Sequence, residues 1–201
     1  MAVKEALLSI LTLGPAYGLQ LHTELGERAP HRSRTNVGQI YGTLERLTLA
    51  GFIQRFGHTA DGLPLYSLTE SGRVRAEEWL SGSDLRVANE WTELLDRVLI
   101  ARSLNNAYLE TIIGSYERIL AMEPSRASQH GRGQNTMLMA ATARFEGAAL
   151  GWLGDVRRDM SRRIAESPQA TLENDVASQA AYGYALERPK RGRPTLPVQG
   201  K

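Results

Sequence analysis

Thr35 to Leu68, TNVGQIYGTLERLTLAGFIQRFGHTADGLPLYSL, reads as one amphipathic helix that runs straight into a tight β-hairpin. Val37, Ile40, Leu44 and Leu47 fall at i, i+3, i+7 and i+10, an apolar stripe on a 3.6-residue period that belongs against a core. Thr35, Gln39, Gly42 and Arg46 fall on the opposite side, a face of small polar residues, a glycine and one arginine. Such a face fits a DNA major groove, where Gln pairs with adenine edges and Arg with guanine edges or phosphate. Asn36 followed by Gln39 has the form of a capping pair, which occupies the Asn side chain with backbone N–H groups and leaves Gln39 the stronger base-reading candidate. Leu49-Ala50-Gly51-Phe52 ends the helix with glycine at the left-handed cap position. Ile53 to Phe56 and Leu65 to Leu68 then alternate as two short strands, turned by Gly57, Asp61-Gly62 and Pro64. Helix plus hairpin in this order is a winged helix-turn-helix pattern. An ordinary α+β fragment with a solvated helix face has the same periodicity.

The flanking sequence narrows that choice. Leu7 to Leu11 followed by Gly14-Pro15-Ala16-Tyr17-Gly18, then Gly38-Gln39-Ile40-Tyr41-Gly42-Thr43-Leu44-Glu45-Arg46-Leu47, Ala50-Gly51-Phe52-Ile53 and Tyr66-Ser67-Leu68-Thr69-Glu70-Ser71-Gly72-Arg73 follow one another across residues 1–80. In order and spacing this series resembles the PadR family of bacterial transcriptional regulators. The resemblance implies a mostly α fold with a small β-hairpin: a winged helix-turn-helix domain at 1–80 and an α-helical dimerisation domain at 81–166, ahead of a basic tail at 167–201. Two features depart from the family pattern. Gly42 stands where proline usually follows the recognition-helix tyrosine, and the wing tip HTADGLPL carries no Arg or Lys. Arg55 and His58 are then the only wing candidates for phosphate.

Upstream, Leu7, Ile10 and Leu11 form the buried side of a first helix that Gly14-Pro15 breaks, and Tyr17, Leu21 and Leu25 give a second helix its inward stripe. His22 lies beside that stripe as a structural residue. The connector Ala29 to Thr35 brings Arg32 and Arg34 close to the recognition-helix N-terminus, where arginines and helix amides converge on phosphate; solvated loop arginines are the alternative. Downstream, Thr69-Glu70 caps a fourth helix through Val74 and Trp79 to Leu80, and Ser81-Gly82-Ser83 marks the domain boundary. Trp91, Leu94, Leu95, Val98 and Leu99, and then Leu109, Ile112, Ile113, Tyr116 and Leu120, make two further amphipathic helices. Pro124 to Gln134 reads as a mobile connection. A long helix to Met160 follows, with Ala141, Phe145, Ala148, Trp152, Val156 and Met160 on one side. Its Gly147, Gly151 and Gly154 each cost about 1 kcal/mol relative to alanine, which points to a close helix neighbour. Dimerisation supplies one, and the resemblance implies a homodimer through this region.

Composition bounds the chemistry. The chain has 201 residues, 42% of them apolar, and a formal charge of +2. Residues 1–80 and 81–166 are each balanced in charge, so the surplus lies in 167–201, and DNA binding would need a basic face rather than a basic protein. Cysteine is absent, which excludes disulfides, thiol catalysis and cysteine-based zinc sites. Met137 to Val156 is the one long apolar window, and Arg144, Glu146 and Asp155 inside it would each cost about 2–3 kcal/mol in a bilayer, so a cytoplasmic protein without membrane contact is expected. No carboxylate pair, Ser/His/Asp set or phosphate loop stands out, and His22, His31, His58 and His130 are not at metal-ligand spacing. The expectation is a non-enzyme with no cofactor: a repressor of PadR type on a palindromic operator, reading double-stranded DNA with Arg32, Arg34, Thr35, Asn36, Gln39, Tyr41, Thr43, Arg46, Arg55 and His58. Arg191 and Arg193, in Pro189-Lys-Arg-Gly-Arg-Pro194, have the form of an AT-hook arm for the minor groove. Trp91 and Trp152 would wall a site for a small aromatic effector, the resemblance implying a flat ligand stacked at the dimer interface, with core packing as the alternative. The competing function is a winged-helix protein-interaction module without sequence-specific DNA binding, which would show exposed apolar anchors in place of polar ones.

Overall fold

In the computed structural model, residues 2–85, 90–104, 106–122 and 134–166 are described. The chain begins with α1 (Ala2–Ile10), whose Leu7, Leu8 and Ile10 are fully buried and which tightens into a 3-10 turn at Leu11–Leu13. Gly14-Pro15 ends it, and β1 (Ala16–Tyr17) leads into α2 (Gly18–Arg28), with Tyr17, Leu21 and Leu25 turned inward. After a second 3-10 turn at Pro30–Arg32 comes α3 (Val37–Leu49), then β2 (Ile53–His58), β3 (Pro64–Leu68) and α4 (Glu70–Ser81). The sheet has three antiparallel strands in the order β1-β3-β2. The hairpin is present as the sequence implies, but its strands are longer than alternation shows: β2 runs through Gly57 to His58 and β3 begins at Pro64, so two of the expected turn residues lie in the ladder. The third strand is an addition, because two residues are too short to show alternation.

Local chemistry places α3. Asn36 is its N-cap, the side-chain oxygen accepting from the Gly38 amide at 2.7 Å. At the other end the Phe52 amide reaches back to the Leu47 carbonyl while Gly51 takes φ +74°, the left-handed closure that Gly51 makes cheap. Ile40, Leu44 and Leu47 are buried, but Val37 is 36% exposed, so the inward stripe begins one turn later than its spacing implies. On α4, Thr69 Oγ1 accepts from the Gly72 amide. Gly72 lies so close to β2 that a Cβ there would stand 1.9 Å from the Phe52 carbonyl oxygen.

The helical region comprises α5 (Trp91–Leu104), α6 (Asn106–Met122) and α7 (Gln134–Glu166). Its core is continuous with that of the winged helix, running from Ala6 to Met160 across Ser81-Gly82-Ser83 without a break. Two adjacent charges on α5, both essentially buried, make the polar part of this junction. Asp96 receives the Arg32 guanidinium through two hydrogen bonds, at 3.0 and 2.6 Å, and the His31 ring at 2.8 Å. These bonds hold Arg32 above its ordinary pKa, so it stays a cation. Arg97 donates to the Trp79 carbonyl and to Asp84, both at 2.8 Å, and lies against the Trp79 ring. Read from spacing, α5 has an apolar stripe at Trp91, Leu94, Leu95, Val98 and Leu99. In the fold Trp91 is 39% exposed and the buried set takes in Asp96 and Arg97.

On α6, Leu109, Ile112, Ile113, Tyr116 and Leu120 are all buried as read. On α7 the buried side is Ala149, Leu153, Val156 and Met160, with Phe145 and Trp152 partly covered, while Ala141 and Ala148 are exposed. Arg157 ties this helix to Glu117 of α6 and Arg102 of α5 reaches Asp159. α7 leaves Met137 and Leu138 exposed towards its start and Leu150 at its middle. A Cβ at Gly147 or Gly151 would meet nothing within 4 Å, so among the described residues no helix makes the close approach their spacing implied. Gln134 begins α7; the rest of the connection 124–134 and the whole tail, Arg191 and Arg193 included, lie outside the described residues.

Two substitutions test these joints. Gly72→Ala forces a backbone clash and should lower unfolding free energy by about 1–3 kcal/mol, read as a shifted urea midpoint with an unchanged slope. Asp96→Ala leaves the Arg32 and His31 side chains without their acceptor and should cost about 3 kcal/mol; an unaltered midpoint would mean that the junction does not depend on this carboxylate.

Candidate nucleic-acid interface

The exposed side of α3 carries Val37, Gly38, Gln39, Tyr41, Glu45, Arg46 and Leu49. Gln39 and Arg46 lie one above the other along this surface, seven residues apart, with Thr43 between them. The Thr43 hydroxyl donates to the Gln39 carbonyl at 2.7 Å and accepts from Arg46 Nη2 at 2.9 Å, and the residue is buried. Thr43 therefore steers the Arg46 guanidinium and does not present its own hydroxyl outward, which differs from its reading as a contact residue. Arg46 makes no ion pair among the described residues, so its remaining N–H donors are free for an acceptor outside the protein.

Tyr41 is 42% exposed and stands over the start of α2. A Cβ at Gly18 would come within 2.5 Å of its ring, so the glycine of the GP-x-YG series is what lets the ring lie there. At Gly42 a Cβ would meet nothing within 4 Å. The position where proline was noted as usual is thus open surface, with no packing reason for glycine and space for another molecule to come close to the backbone.

Before α3 the arginines divide. Arg34 is exposed, whereas Arg32 is engaged by Asp96 and is not a free phosphate contact in this arrangement, because a buried carboxylate already satisfies its fork. Thr35 is half-buried and its carbonyl takes the hydrogen bond of His22 Nε2 at 2.8 Å, which anchors the connector to α2 and gives His22 its structural role. Asn36 is occupied as a cap.

On the wing, Arg55 and His58 are exposed, as is every β2 residue after Ile53. The ladder pairs Arg55 with Tyr66 and Gly57 with Leu65, which leaves Phe56 as the extra residue of a β-bulge. The bulge aims its ring outward, more than half exposed, although alternation had counted it among the strand's ordinary positions. Sequence reading did not single out Phe56 as a surface feature, nor Lys4, whose ammonium sits 4.8 Å above the Phe52 ring.

The two tryptophans meet. Trp91 lies edge-on to Trp152 at 5.5 Å between centroids and to Phe145 at 6.1 Å, so the fold gathers three aromatic rings from α5 and α7. Trp91 keeps over a third of its surface open. Among the described residues no cluster of His, Asp or Glu could hold a metal ion, and no helix is long and apolar enough to cross a membrane.

Residues 7–78 match the model of the transcriptional regulator PadR-like family. Among solved structures, the crystal structure of Bacillus subtilis PadR in complex with operator DNA is similar, at 19% identity over 78% of this chain and 97% of that chain, with a TM-score of 0.38. No curated protein matches. The superposition is loose, so the assignment rests on the sequence match and on the three-stranded winged helix that it spans. The N-terminal domain of this chain, residues 7–78, belongs to the PadR-like family of transcriptional regulators.

Proposed function

We propose that this DNA-binding transcriptional regulator works as a homodimeric repressor in the cytoplasm, binding an inverted-repeat operator through two copies of α3 and letting go when a flat aromatic effector binds. The observation that carries the DNA reading is the pairing of Gln39 and Arg46 on the open face of α3, with Arg46 held by Thr43 and unanswered by any carboxylate among the described residues. Gln39 reads base edges and Arg46 a base or the nearest phosphate, while Arg34 and Tyr41 contact the backbone beside them. Arg55 and His58 give the wing its polar contacts. The segment containing Arg191 and Arg193 adds a minor-groove arm.

Dimerisation is supported by the uncovered apolar side chains Met137, Leu138 and Leu150, and by the open flanks of Gly147 and Gly151, which leave space for a second α7 to come close. In this division 1–80 reads DNA, 81–166 dimerises and 167–201 is the arm. The effector reading is supported by the Trp91, Phe145 and Trp152 cluster. Trp91 precedes Asp96 by five residues on α5, and Asp96 holds the turn ahead of α3. A displaced Trp91 would strain that tie, which is how occupancy at the aromatic cluster would reach the DNA face.

A second reading, a winged-helix module that docks on another protein, is favoured by the exposed Leu49 and Phe56. Selection of bound sequences from random DNA separates the two. A palindromic consensus is the expected result, and recovery of no preferred sequence would select the protein-docking reading.

On the selected operator, Arg46→Ala should lose about 1–3 kcal/mol of affinity, with the preference relaxed at one position in each half-site if the guanidinium also reaches a base and left unchanged if it holds phosphate alone. Leu138→Glu should shift the protein towards monomer in light scattering and weaken operator binding with it. If the variant stays dimeric, the interface lies elsewhere. Gly42→Ala should raise stability by about 0.5–1 kcal/mol, since the added methyl meets no neighbour and removes backbone entropy from the unfolded chain. A lower melting temperature would show a constraint on Gly42 within the fold.

A further inference from the structure

Between the first turn of α1 and the face of α3 lies an open cavity of about 550 Å³. Its polar lining consists of Lys4, Arg32, Gln39, Thr43 and Arg46, with no carboxylate among the lining residues, and Leu47 contributes apolar surface. Arg32 is answered from behind by Asp96. Lys4 and Arg46 are different. Neither makes an ion pair among the described residues: Lys4 rests its ammonium on the Phe52 ring, and Arg46 spends one donor on the Thr43 hydroxyl. Two cations without counter-charge therefore border one cavity, together with the N-terminal end of α1, whose dipole favours an anion.

Size and donor chemistry say what fits. A cavity of this volume admits a phosphate group with room for what it is attached to. An ammonium and a guanidinium fork together offer several donors to a tetrahedral oxyanion, and charge-assisted bonds of this kind are the strong ones. The cavity also borders the α3 face beside Gln39, where the backbone of a recognised groove would run, and the wing, which has no lysine, leaves that backbone short of an anchor.

We infer that this cavity is a phosphate seat, held between Lys4 and Arg46, and that a backbone phosphate of bound DNA occupies it. The inference rests on the proposed DNA reading and adds to it a contact from α1, outside the recognition helix and wing. Lys4 is then a positioning contact: it fixes the depth and tilt of α3 in the groove and carries no sequence preference. The same chemistry would hold a free phosphorylated molecule, so the test must separate the two sources.

The experiment uses the full chain and Lys4→Met, which keeps the aliphatic stem on Phe52 and removes the charge, with Lys4→Arg as the charge-retaining control. On the selected operator, Lys4→Met should bind about five- to tenfold more weakly near 0.1 M salt, reduce the slope of log K against log salt by about one, and leave the selected sequence and the melting temperature unchanged. Lys4→Arg should restore most of the affinity. Replacing backbone phosphates one at a time by neutral methylphosphonates should reveal one position in each half-site at which wild type and Lys4→Met bind equally, which assigns the seat to the DNA backbone. In parallel, inorganic pyrophosphate is titrated against the DNA-free protein by calorimetry. If Lys4→Met leaves operator affinity and salt slope unaltered but abolishes saturable pyrophosphate binding, the seat takes a free phosphate and the assignment to DNA is overturned. If it changes neither, the seat itself is overturned while wild-type operator binding still stands. Wild type that binds no DNA sequence at all would overturn the proposed function, and the assignment of the seat to DNA with it.

Discussion

Asp96 and Arg97, neighbours on α5 with opposite charge, are the constraint on which the arrangement of the molecule depends. Each is buried, and a buried ion is tolerated only when its partners satisfy it. Apart from the bond of Arg97 to Glu93 one turn back on α5, both find those partners outside the helical region. Asp96 takes Arg32 and His31 from the turn ahead of α3, and Arg97 takes the Trp79 carbonyl and Asp84 at the end of α4. Consecutive residues on a helix point about 100° apart, so the two charges clamp α5 to two different parts of the winged helix. That fixes α5 in rotation as well as position, which burial of Val98 and Ile100 alone would leave less defined. It also means that the segment leading into α3 is held by the region that carries the aromatic cluster.

The α3 surface has a division of labour that a helical wheel does not show. Thr43 and Arg46 are both polar and both near the outward side, yet Thr43 is buried and serves as the hydroxyl that orients Arg46. Asn36 is spent on the cap, Thr35 on His22 and Arg32 on Asp96. Once those commitments are counted, the residues expected to contact DNA whose side chains stay open to another molecule are fewer: Arg34, Gln39, Tyr41 and Arg46, with Arg55 and His58 on the wing. Polar residues around a recognition helix are as much the scaffold that aims the contacts as the contacts themselves.

The elements of the winged helix were legible because their signals are local. Gly51 at a left-handed cap, Asn36 and Thr69 as side-chain caps, and Asp61-Gly62 in the turn between β2 and β3 act within a few positions and are used where the sequence has them, whereas Gly57 and Pro64, expected in the turn, are paired in the ladder. The two-residue β1 was missed because pairing with Tyr66 and Leu65 is a long-range event with no periodic trace. Phe56 was placed in a regular strand because a bulge adds one residue without altering composition. Along α7 the apolar residues were found but the buried side was turned, since over 33 residues the direction of the core depends on where α5 and α6 lie.

By itself the sequence determined the order of the helices and of the two hairpin strands, the winged-helix pattern, the absence of cysteine chemistry and the identity of most polar residues near α3. Those follow from periodicity, capping and composition, which are properties of short stretches. Only the tertiary structure decided which of those polar residues remain free, that Trp91 meets Trp152 and Phe145, that Lys4 joins Arg46 at one cavity, and that Asp96 and Arg97 are interior rather than solvated. The reason is physical. A charge on a helix carries no mark of where it will be buried, because burial depends on a partner sixty or more residues away, as Arg32 and Asp96 are, and that partner is brought close only by packing.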